Sequence, residues 1–580
     1  MTARTRRTAA VLTAVLGVGL TAGVVAAAPR LDAWGALDHD LVTSQVSQHV
    51  VQTSTVLACP GPAELPDDDR TAAAQRSTVH SVLGLAELTP GARDEVLPVT
   101  SPRDGAEAAA APSDATAAAN LEGASPLAVL ASSATSGPGP WAVRATAAAS
   151  DAASEPARPV AAVSHLASSG DLRGLAAGAC LEPATDQWIV AGETQPGSSA
   201  TLMLDNPGRT TVTVTVSLWG AGGPLAPAGS TTFVVPALGH ESVLLSTLAR
   251  EERRLALRIT STGGAVGATL AESRLDGVVP RGTTLVPAGA PPATAQVVPG
   301  VVLEASEVDA TDAGVLRLLA PDTATTATLT LLGTGGREVV RGSETVALAA
   351  GEVTDVSLAG VRAGTYTAVV SADAPVLAGA RVVRSGPAVT ESSGQVAVTV
   401  GTSADVAWLP SSTLLRDGSA PGAGGAGSTS AAVVPGGLAA DVVLTPVPSA
   451  LHAHLAALDD VPVDYGDGAP DPRAAVARGT VEAYDGAGRL VGSTKVSAPL
   501  GATVKLSLSS LAPGAVVSVV RVTSEGAAAA ESTASEGVDL AWTTIVASAG
   551  VPGSIDAVAP RSPEPTSRAV TVRQSTTVGR

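Results

Sequence analysis

The sequence predicts an all-β chain of tandem immunoglobulin-like or fibronectin-like β-sandwich domains that follow an N-terminal signal-anchor helix. Three observations support this prediction. Hydrophobic residues make up 45% of the chain but aromatic residues only 2%, so Ala and Val dominate the apolar positions. The 61 glycines and 41 prolines interrupt the chain often, which is typical of short strands joined by turns. Finally, one pattern of strands and turns occurs three times.

The clearest strand is the segment TVTVTVSL at residues 211–218. Val or Leu occupies every second position, and Thr or Ser occupies the positions between them. Because successive side chains of a strand point to opposite faces, this alternation indicates a strand with one buried face. The turn signals DNPG at residues 205–208 and GAGG at residues 220–223 flank it.

The repeated pattern divides most of the chain into domains. Its copies include SLWGAGG at residues 217–223, TLLGTGG at residues 330–336 and VEAYDGAG at residues 481–488. Strands at such short spacing, each with one apolar face, pack as two antiparallel sheets, and a unit of about 100 residues fits an immunoglobulin-like sandwich. The predicted domains are repeat 1 (186–292), repeat 2 (293–410) and repeat 3 (433–552).

The remaining segments differ in composition from these repeats. Residues 31–185 form an Ala/Ser/Pro-rich region, in which residues 64–159 have the pattern of weak strands joined by long loops. Residues 411–432 form a Gly/Ser linker, and residues 451–478 are an insertion in repeat 3. Residues 553–580 are polar and are predicted to be a disordered tail.

Residues 1–30 are predicted to be a signal peptide or a transmembrane anchor. Three arginines at the N-terminus precede an uncharged apolar stretch at residues 8–28. A positive segment before such a stretch is typical of export, and about 20 apolar residues suffice to span a bilayer as a helix. Because the arginines favour the inner side of the membrane, we expect an extracytoplasmic protein that is either anchored or secreted.

The two cysteines of the chain are Cys59 and Cys180. An exported protein with one pair of cysteines usually oxidises it, so we predict a disulfide that closes a long loop around the Ala/Ser/Pro-rich region. The chain contains no C-x-x-C motif, so the sequence does not indicate a zinc site at these residues.

Two short motifs have the spacing of chemical sites. The G-x-G-x-x-G match at residues 422–427 lies inside the Gly/Ser linker and not between a strand and a helix, so it does not indicate nucleotide binding. His452 and His454 would point the same way on a strand and could contact a metal together. Several aspartates follow them, and a solvated acidic surface is the competing interpretation. We therefore assign no catalytic, cofactor-binding or metal-binding residue and expect no cofactor.

The charge and the aromatic content limit the partners. The net charge of −18 argues against nucleic acid, since phosphate binding needs a basic surface. A glycan site usually has aromatic walls, yet the chain has only six Trp, three Tyr and one Phe. Four of the tryptophans, Trp188, Trp219, Trp408 and Trp542, lie near predicted strand ends, where a core role and a sugar-binding role both remain open.

Two segments carry a resemblance to a known family. They are GDLRGLAAGACLEPATDQWIVAGET at residues 170–194 and LMLDNPG at residues 202–208, together with ACPGP around Cys59. With the N-terminal segment, they make the chain similar to an uncharacterised family of actinobacterial secreted or membrane-anchored envelope proteins, a domain of unknown function. The resemblance implies an envelope location and favours a role at the cell wall, and it transfers no activity.

These observations favour a non-enzymatic envelope protein that acts as a spacer, scaffold or interaction module. Its partner would be an envelope protein or a cell-wall glycan, and the N-terminal helix, if retained, would bind the membrane. One alternative is a binding module for cell-wall polysaccharide or peptidoglycan. A second alternative is a metal-dependent enzyme of unfamiliar type that uses His452 and His454.

Overall fold

The computed structural model describes most of the chain between residues 45 and 573 and places it in two compact units. One unit comprises Met1–Gln52 with Pro565–Arg580, and the other comprises Thr53–Glu564. The described residues are 45–49, 54–63, 75–83, 93–98, 128–134, 140–146, 159–412, 429–448, 476–526, 538–561 and 569–573, except 311, 341, 394–395, 487 and 500.

In the first unit, strand β1 (Gln45–His49) pairs antiparallel with β34 (Ala569–Arg573). The predicted export segment at residues 1–30 lies outside the described residues. No helix within the described parts of the chain has the length and apolarity needed to cross a membrane.

The all-β class predicted from the sequence is confirmed for the described residues, which form strands with almost no helix. The helical parts of the described residues are one α-helical turn, α1 (Leu508–Leu511), and one 3-10 turn at Leu245–Thr247.

The second unit begins with two antiparallel sheets, which we call the N-terminal repeat. One sheet has the strand order β2-β6-β4 and the other has the order β5-β3-β7-β8. The strands are β2 (Ser54–Cys59), β3 (Gln75–Leu83), β4 (Arg93–Pro98), β5 (Ala128–Ala134), β6 (Trp141–Thr146), β7 (Pro159–Ala167) and β8 (Gly174–Ala179).

Repeat 1 also consists of two sheets. Their orders are β12-β11-β15-β9, with β13 also paired to β11, and β14-β10-β16-β17. The strands are β9 (Asp186–Ile189), β10 (Ser198–Asn206), β11 (Val212–Gly220), β12 (Gly223–Pro224), β13 (Thr232–Val235), β14 (Gly239–Leu244), β15 (Ala256–Thr262), β16 (Gly267–Asp276) and β17 (Val279–Pro287).

Repeat 2 contains one long strand that belongs to both of its sheets. The N-terminal half of β24 pairs with β18 and β20, and its C-terminal half pairs with β19 and β25. The strands are β18 (Ala293–Leu303), β19 (Val315–Leu319), β20 (Thr325–Gly333), β21 (Gly336–Glu338), β22 (Thr345–Leu348), β23 (Val353–Ser357), β24 (Gly364–Ser393) and β25 (Val396–Pro410).

Repeat 3 has sheets of order β26-β31-β28-β29 and β30-β27-β32-β33. The strands are β26 (Thr429–Val433), β27 (Ala439–Pro448), β28 (Val476–Tyr484), β29 (Leu490–Pro499), β30 (Val504–Ser507), β31 (Val519–Gly526), β32 (Val538–Ala547) and β33 (Asp556–Val558).

The N-terminal repeat has the same strand order as the three repeats that the sequence predicts. In every copy the first strand pairs with a late strand, which in turn pairs with a middle strand: β2-β6-β4, β9-β15-β11, β18-β24-β20 and β26-β31-β28. In every copy the last strand, β8, β17, β25 or β33, lies at an edge of the second sheet. The Ala/Ser/Pro-rich region at residues 31–185 therefore contains a fourth copy of this arrangement.

The alternation predicted for residues 211–218 is confirmed in β11. Its Val and Leu side chains are buried and its intervening Thr and Ser side chains are exposed. The buried face contributes to a core that both sheets of repeat 1 share, with Leu202 and Leu204 of β10 and Leu270 of β16 on the opposite side. The period of two in the sequence thus sets which face of the strand lies inward.

Apolar contacts connect the four repeats in a closed circuit. Met203 of repeat 1 lies in the core of the N-terminal repeat, and Trp408 of repeat 2 lies in the core of repeat 1. Ile545 of repeat 3 lies in the core of repeat 2, and Leu175 of the N-terminal repeat lies in the core of repeat 3. Each repeat therefore contacts two others through buried side chains, and the first contacts the last.

Two segments predicted to be flexible contribute to this packing. In the predicted tail at residues 553–580, β33 pairs with β32, and both Ile555 and Asp556 are buried. Within the predicted linker at residues 411–432, residues 429–432 belong to β26, whereas residues 413–428 lie outside the described residues. Composition did not indicate these strands, because both are short and β26 pairs with the distant strand β31.

Cys59 and Cys180 form a disulfide with a Cα–Cα distance of 4.4 Å. It joins the end of β2 to the residue that follows β8, and so links the two sheets of the N-terminal repeat. Beside it, the Ala58 N–H donates to the Leu181 carbonyl at 2.7 Å, and the Leu181 N–H donates to the Ala58 carbonyl at 2.9 Å. The bond closes a loop across a sequence separation of 121 residues.

We expect the C59S/C180S double variant to lose about 2–5 kcal/mol of unfolding free energy, because the open chain gains conformational entropy when it unfolds. Urea denaturation followed by circular dichroism measures the loss. The wild-type protein in reducing buffer is the control and should unfold at the midpoint of the double variant. Equal midpoints for the oxidised wild-type protein and the double variant would contradict this role of the disulfide.

Candidate functional site

The last strands of the four repeats lie against one another. β17 contacts both β8 and β25, and β33 also contacts both β8 and β25. Each is an edge strand of its own sheet, and an edge strand has outward N–H groups that need hydrogen-bond acceptors when they are buried. Two buried aspartates, Asp405 of β25 and Asp556 of β33, supply acceptors at this junction.

Asp405 accepts hydrogen bonds from the backbones of all four repeats. Its Oδ2 accepts from the Leu175 N–H at 3.0 Å and from the Ile555 N–H at 3.1 Å. Its Oδ1 accepts from the Thr283 N–H at 3.1 Å and from its neighbour Val406 at 3.0 Å. A single carboxylate therefore ties together β8, β17, β25 and the residue before β33.

Asp556 makes a second set of bonds further along β8 and β17. Its Oδ2 accepts from the Ala177 N–H of β8 at 2.7 Å, and its Oδ1 accepts from the Thr284 hydroxyl of β17 at 3.3 Å and from the Ala557 N–H at 2.8 Å. Leu175 and Ala177 are two positions apart, so their N–H groups leave the same edge of β8. The two carboxylates thus lie along that edge where a neighbouring strand would otherwise pair.

Both aspartates are deeply buried, and burial disfavours their charged forms. Burial raises the pKa of Asp405 to about 7, although four backbone N–H groups favour its charged form. Burial also raises the pKa of Asp556 well above its usual value, and the nearby charge of Asp405 raises it further. Because their hydrogen bonds go to neighbouring strands, the pair serves as an anchor between repeats.

Two glycines allow the backbones to approach Asp405. A Cβ at Gly174 would lie 2.5 Å from Asp405 Oδ1. A Cβ at Gly282 would lie 2.5 Å from the Val406 nitrogen, and the φ of Gly282 is +106°, a left-handed value that other residues rarely adopt. The junction therefore requires glycine at both positions.

A second buried cluster joins repeat 1 to repeat 2 around Arg317 of β19. Its guanidinium makes a bidentate ion pair with Asp355 at 2.8 and 3.0 Å. It also donates to the carbonyls of Gly192 at 2.6 Å and Arg253 at 3.1 Å, and it stacks 4.6 Å from the ring centroid of Trp408. The side chain is 1% exposed, so a full set of partners compensates its buried charge.

Glu272 of β16 also contacts Trp408. Its Oε2 accepts from the Trp408 indole N–H at 3.1 Å, whereas its Oε1 is buried and has no hydrogen-bond partner among the described residues. Burial raises the pKa of Glu272 to about 7, and the charge of nearby Glu193 raises it further. Three arginines, Arg274, Arg381 and Arg317, oppose this shift.

The pKa of Glu193 shifts in the opposite direction from that of Glu272. Its Oε1 accepts from Arg274 Nε at 2.7 Å and from the Ser198 hydroxyl at 2.5 Å, and Arg381 lies 4.0 Å from its Oε2. Burial alone would raise the pKa of Glu193, but these partners together lower it below its usual value. Two carboxylates with pKa values moved apart are typical of acid–base pairs. Here they lie inside the contact between repeats, and Glu272 is 0% exposed.

The residues that the sequence singled out have different outcomes. Cys59 and Cys180 are joined, whereas His452, His454 and the glycines at residues 422–427 lie outside the described residues. Within the described parts of the chain, no group of three or more His, Cys, Asp or Glu residues is placed to hold a metal ion.

The tryptophans considered for a sugar platform take part in internal packing. Trp188 is buried, and its ring centroid lies 5.0 Å from that of the half-buried Trp219. Trp542 is buried and donates its indole N–H to Ser430 at 2.7 Å. Together with Trp408, they fill cores and contacts between repeats.

Comparison with known families gives one match. Residues 131–459 match the family of unknown function DUF5719. The chain is a member of DUF5719. The matched residues include β8, β17 and β25, and so three of the four strands at the Asp405 junction. No curated protein and no solved structure matches this DUF5719 chain.

Sequence reasoning missed the buried charges of this DUF5719 chain, although a signal was present. Asp405 in SADVAWL and Arg317 in VLRLL are single charged residues within apolar strand segments. Such residues are almost never fully buried unless they are paired, so their position indicates a buried partner. The sequence alone did not indicate which partner.

We expect Gly282→Ala to lower the unfolding free energy by about 2 kcal/mol or more, because the new Cβ meets the Val406 backbone in a left-handed conformation. Gly335→Ala is the matched control, since a Cβ there has no neighbour within 4 Å, and its change should stay within about 0.5 kcal/mol. Urea unfolding of both variants measures the difference, and equal effects would contradict the close approach at Gly282.

Glu272 should make stability depend on pH. Because its folded pKa of about 7 exceeds the ordinary value of 4.5, the folded state keeps a proton that the unfolded state releases between these values. The free energy of unfolding should therefore fall, by on the order of 3 kcal/mol, as the pH rises from 4.5 to 7. Glu272→Gln should remove this contribution, since Gln stays neutral at every pH.

Urea midpoints at several pH values between 4.5 and 8 provide the measurement. Glu307→Gln removes the same charge from an exposed position and should keep the wild-type slope. A Glu272→Gln variant with the wild-type slope would show that Glu272 does not retain the proton.

Proposed function

We propose that this DUF5719 protein is an extracytoplasmic envelope protein that acts as a scaffold or interaction module. One observation carries the proposal: four repeats are locked together by buried contacts, with the Asp405 carboxylate bonded to all four. The chain thereby gains a fixed arrangement of repeats, which suits the presentation of surfaces to partners.

The closed circuit favours a scaffold over a linear spacer. In a linear array each repeat contacts only its neighbours along the chain. Here Leu175 of the first repeat packs into the core of the last, and Arg561 after β33 donates to the Pro159 carbonyl at 3.3 Å. An extended spacer would not need these contacts between distant parts of the chain.

We further propose that each repeat is an immunoglobulin-like β-sandwich. Two antiparallel sheets of three to five strands with a shared apolar core support this assignment. Recurrence of one strand order in all four repeats is consistent with tandem copies of a single domain type.

An extracytoplasmic location is supported by two independent features. The apolar, uncharged stretch at residues 8–28 has the composition of an export signal or membrane anchor. The disulfide between Cys59 and Cys180 is of a kind that persists in oxidising compartments. The resemblance to actinobacterial envelope proteins favours the same location.

The burial of the described tryptophans weighs against the glycan-binding alternative. A sugar platform needs an exposed aromatic face, whereas Trp188, Trp408 and Trp542 are 6%, 2% and 2% exposed. The metal-dependent alternative rests on His452 and His454, which lie outside the described residues. We therefore favour a protein partner in the envelope over a glycan, a metal or nucleic acid.

Binding of the purified chain to separated envelope fractions tests the proposal. We expect saturable retention by the membrane-protein fraction and only background retention by peptidoglycan and soluble wall polysaccharide. Retention by the glycan fractions alone would favour the polysaccharide-binding alternative. Retention by no fraction would contradict an interaction role.

A matched pair of variants shows whether the locked arrangement matters for this binding. Gly282→Ala weakens the junction of the repeats, and Gly335→Ala leaves it intact. Binding should decrease with the first variant and persist with the second. Equal binding of both variants would show that binding of the partner does not depend on the arrangement of the repeats.

A further inference from the structure

Three side chains on the second sheet of repeat 1 form a hydrogen-bonded relay. Asp205 Oδ1 lies 2.6 Å from His240 Nδ1, and His240 Nε2 lies 2.7 Å from the hydroxyl oxygen of Ser242. With Asp205 ionised and His240 neutral, Nδ1 donates to the carboxylate and Nε2 accepts from the serine hydroxyl. This is the order of contacts in a Ser-His-Asp nucleophilic site.

The strand register brings the three residues together. Asp205 on β10 is directly opposite His240 on β14. Ser242 is two positions after His240 on the same strand, so both side chains leave the same face of the sheet. Neither contact needs a flexible loop, because both residue pairs are fixed by the pairing and pleat of the two strands.

The side chain of Asn206, the neighbour of Asp205, holds the turn that precedes His240 through hydrogen bonds to its backbone. The Asn206 amide donates to the carbonyls of Val235 at 3.1 Å and Pro236 at 2.7 Å. Leu238 in this turn has a φ of +50°, which is unusual for a residue other than glycine. Strained backbone of this kind is often found next to functional side chains.

Solvent exposure increases from Asp205 through His240 to Ser242, so the serine hydroxyl is the group that a substrate can reach. The Asp205 side chain is 1% exposed, the His240 side chain is 12% exposed, and Ser242 lies at the surface. Burial raises the pKa of Asp205, whereas its hydrogen bond to His240 and the His240 charge lower it. The carboxylate is thus shielded behind the imidazole while the hydroxyl meets the solvent.

We propose that Ser242 is a nucleophile activated by His240 and positioned by Asp205, and that this site hydrolyses carboxylic esters. Ser242 and His240 are the catalytic residues, and Asp205 is a positioning residue that acts through His240. The site is independent of the scaffold role and contradicts the expectation from the sequence that the protein is non-enzymatic.

The reaction proceeds in two balanced steps. The Ser242 oxygen bonds to the ester carbonyl carbon while its proton moves to His240 Nε2, and the alcohol leaves with that proton when the carbon–oxygen bond breaks. Water then attacks the acyl-serine and gives one proton to His240. Cleavage of the acyl–serine bond returns that proton to Ser242 and releases the carboxylic acid.

The strand that carries His240 and Ser242 lies at the edge of its sheet. Within the described residues, β14 is the terminal strand of its sheet and pairs with β10. Backbone N–H groups at a strand edge are the kind of donor that stabilises a tetrahedral oxyanion. We assign esters over amides because an alcohol leaves more readily than an amine from a site open to solvent.

Labelling of the full chain with a fluorophosphonate probe tests the nucleophile. We expect covalent labelling of Ser242, located by peptide mass spectrometry, together with hydrolysis of p-nitrophenyl acetate. Ser242→Ala and His240→Ala should each reduce both signals at least tenfold. Ser230→Ala is the matched control, since Ser230 is an exposed serine of repeat 1 whose hydroxyl contacts the backbone of Thr232, and it should leave both signals unchanged.

The role of Asp205 has its own readout. Asp205→Asn keeps the side-chain shape but no longer holds the imidazole tautomer that accepts from Ser242. It should lower kcat for the ester at least tenfold and leave KM within twofold, with an unchanged urea midpoint. A change in KM alone, or a parallel loss of activity and folding, would assign Asp205 a purely structural role.

Two results would overturn the proposal as a whole. One is wild-type labelling no greater than that of Ser242→Ala. The other is labelling of the wild-type protein at a serine other than Ser242. The mass of the labelled peptide from the wild-type chain decides the second point without any variant, so a folding defect cannot hide the answer.

Discussion

The arrangement of the second unit depends on the need of buried strand edges for hydrogen-bond acceptors. When β8, β17 and β33 turn their outer edges toward other repeats, their N–H groups lose water and must find protein partners. Asp405 accepts from Leu175, Thr283 and Ile555 and so satisfies one N–H group in each of three other repeats. Replacing these bonds by apolar contact would leave several donors unsatisfied, which explains a charged residue at a fully buried position.

Buried polar groups also need partners at the contact between repeats 1 and 2. Arg317 carries a charge into the interior, and Asp355, the Gly192 carbonyl and the face of Trp408 compensate it. Buried charges contribute little net stability when they are paired, but a wrong arrangement of repeats would leave them unpaired at a large cost. We infer that these clusters select one arrangement of the repeats, while the apolar cores supply most of the stabilisation.

The relay in repeat 1 and the junction of the repeats each include one of the two segments that carry the family resemblance. The DNPG turn contributes Asp205 to the relay and Asn206 to the support of the following turn. The RGLAA segment contributes Gly174 and the outer edge of β8 to the Asp405 junction. Both segments carry the resemblance noted in the sequence, so the most recognisable residues of the chain are those that fix hydrogen bonds between distant strands.

The sequence by itself determined the local structure: the period of two in residues 211–218 fixed the buried face of β11, and the turn residues marked three of the four repeats. It also allowed the pairing of Cys59 with Cys180, since the chain offers no other cysteine. Only the tertiary structure decided the rest. The N-terminal repeat was hidden because its strands lie in Ala/Ser/Pro-rich sequence between long connections. The contacts of Asp405 with Leu175, 230 residues apart, and of Asp205 with His240 depend on which strands pack side by side. Local periodicity in one sequence indicates which face of a strand is buried, but not which distant strand lies beside it.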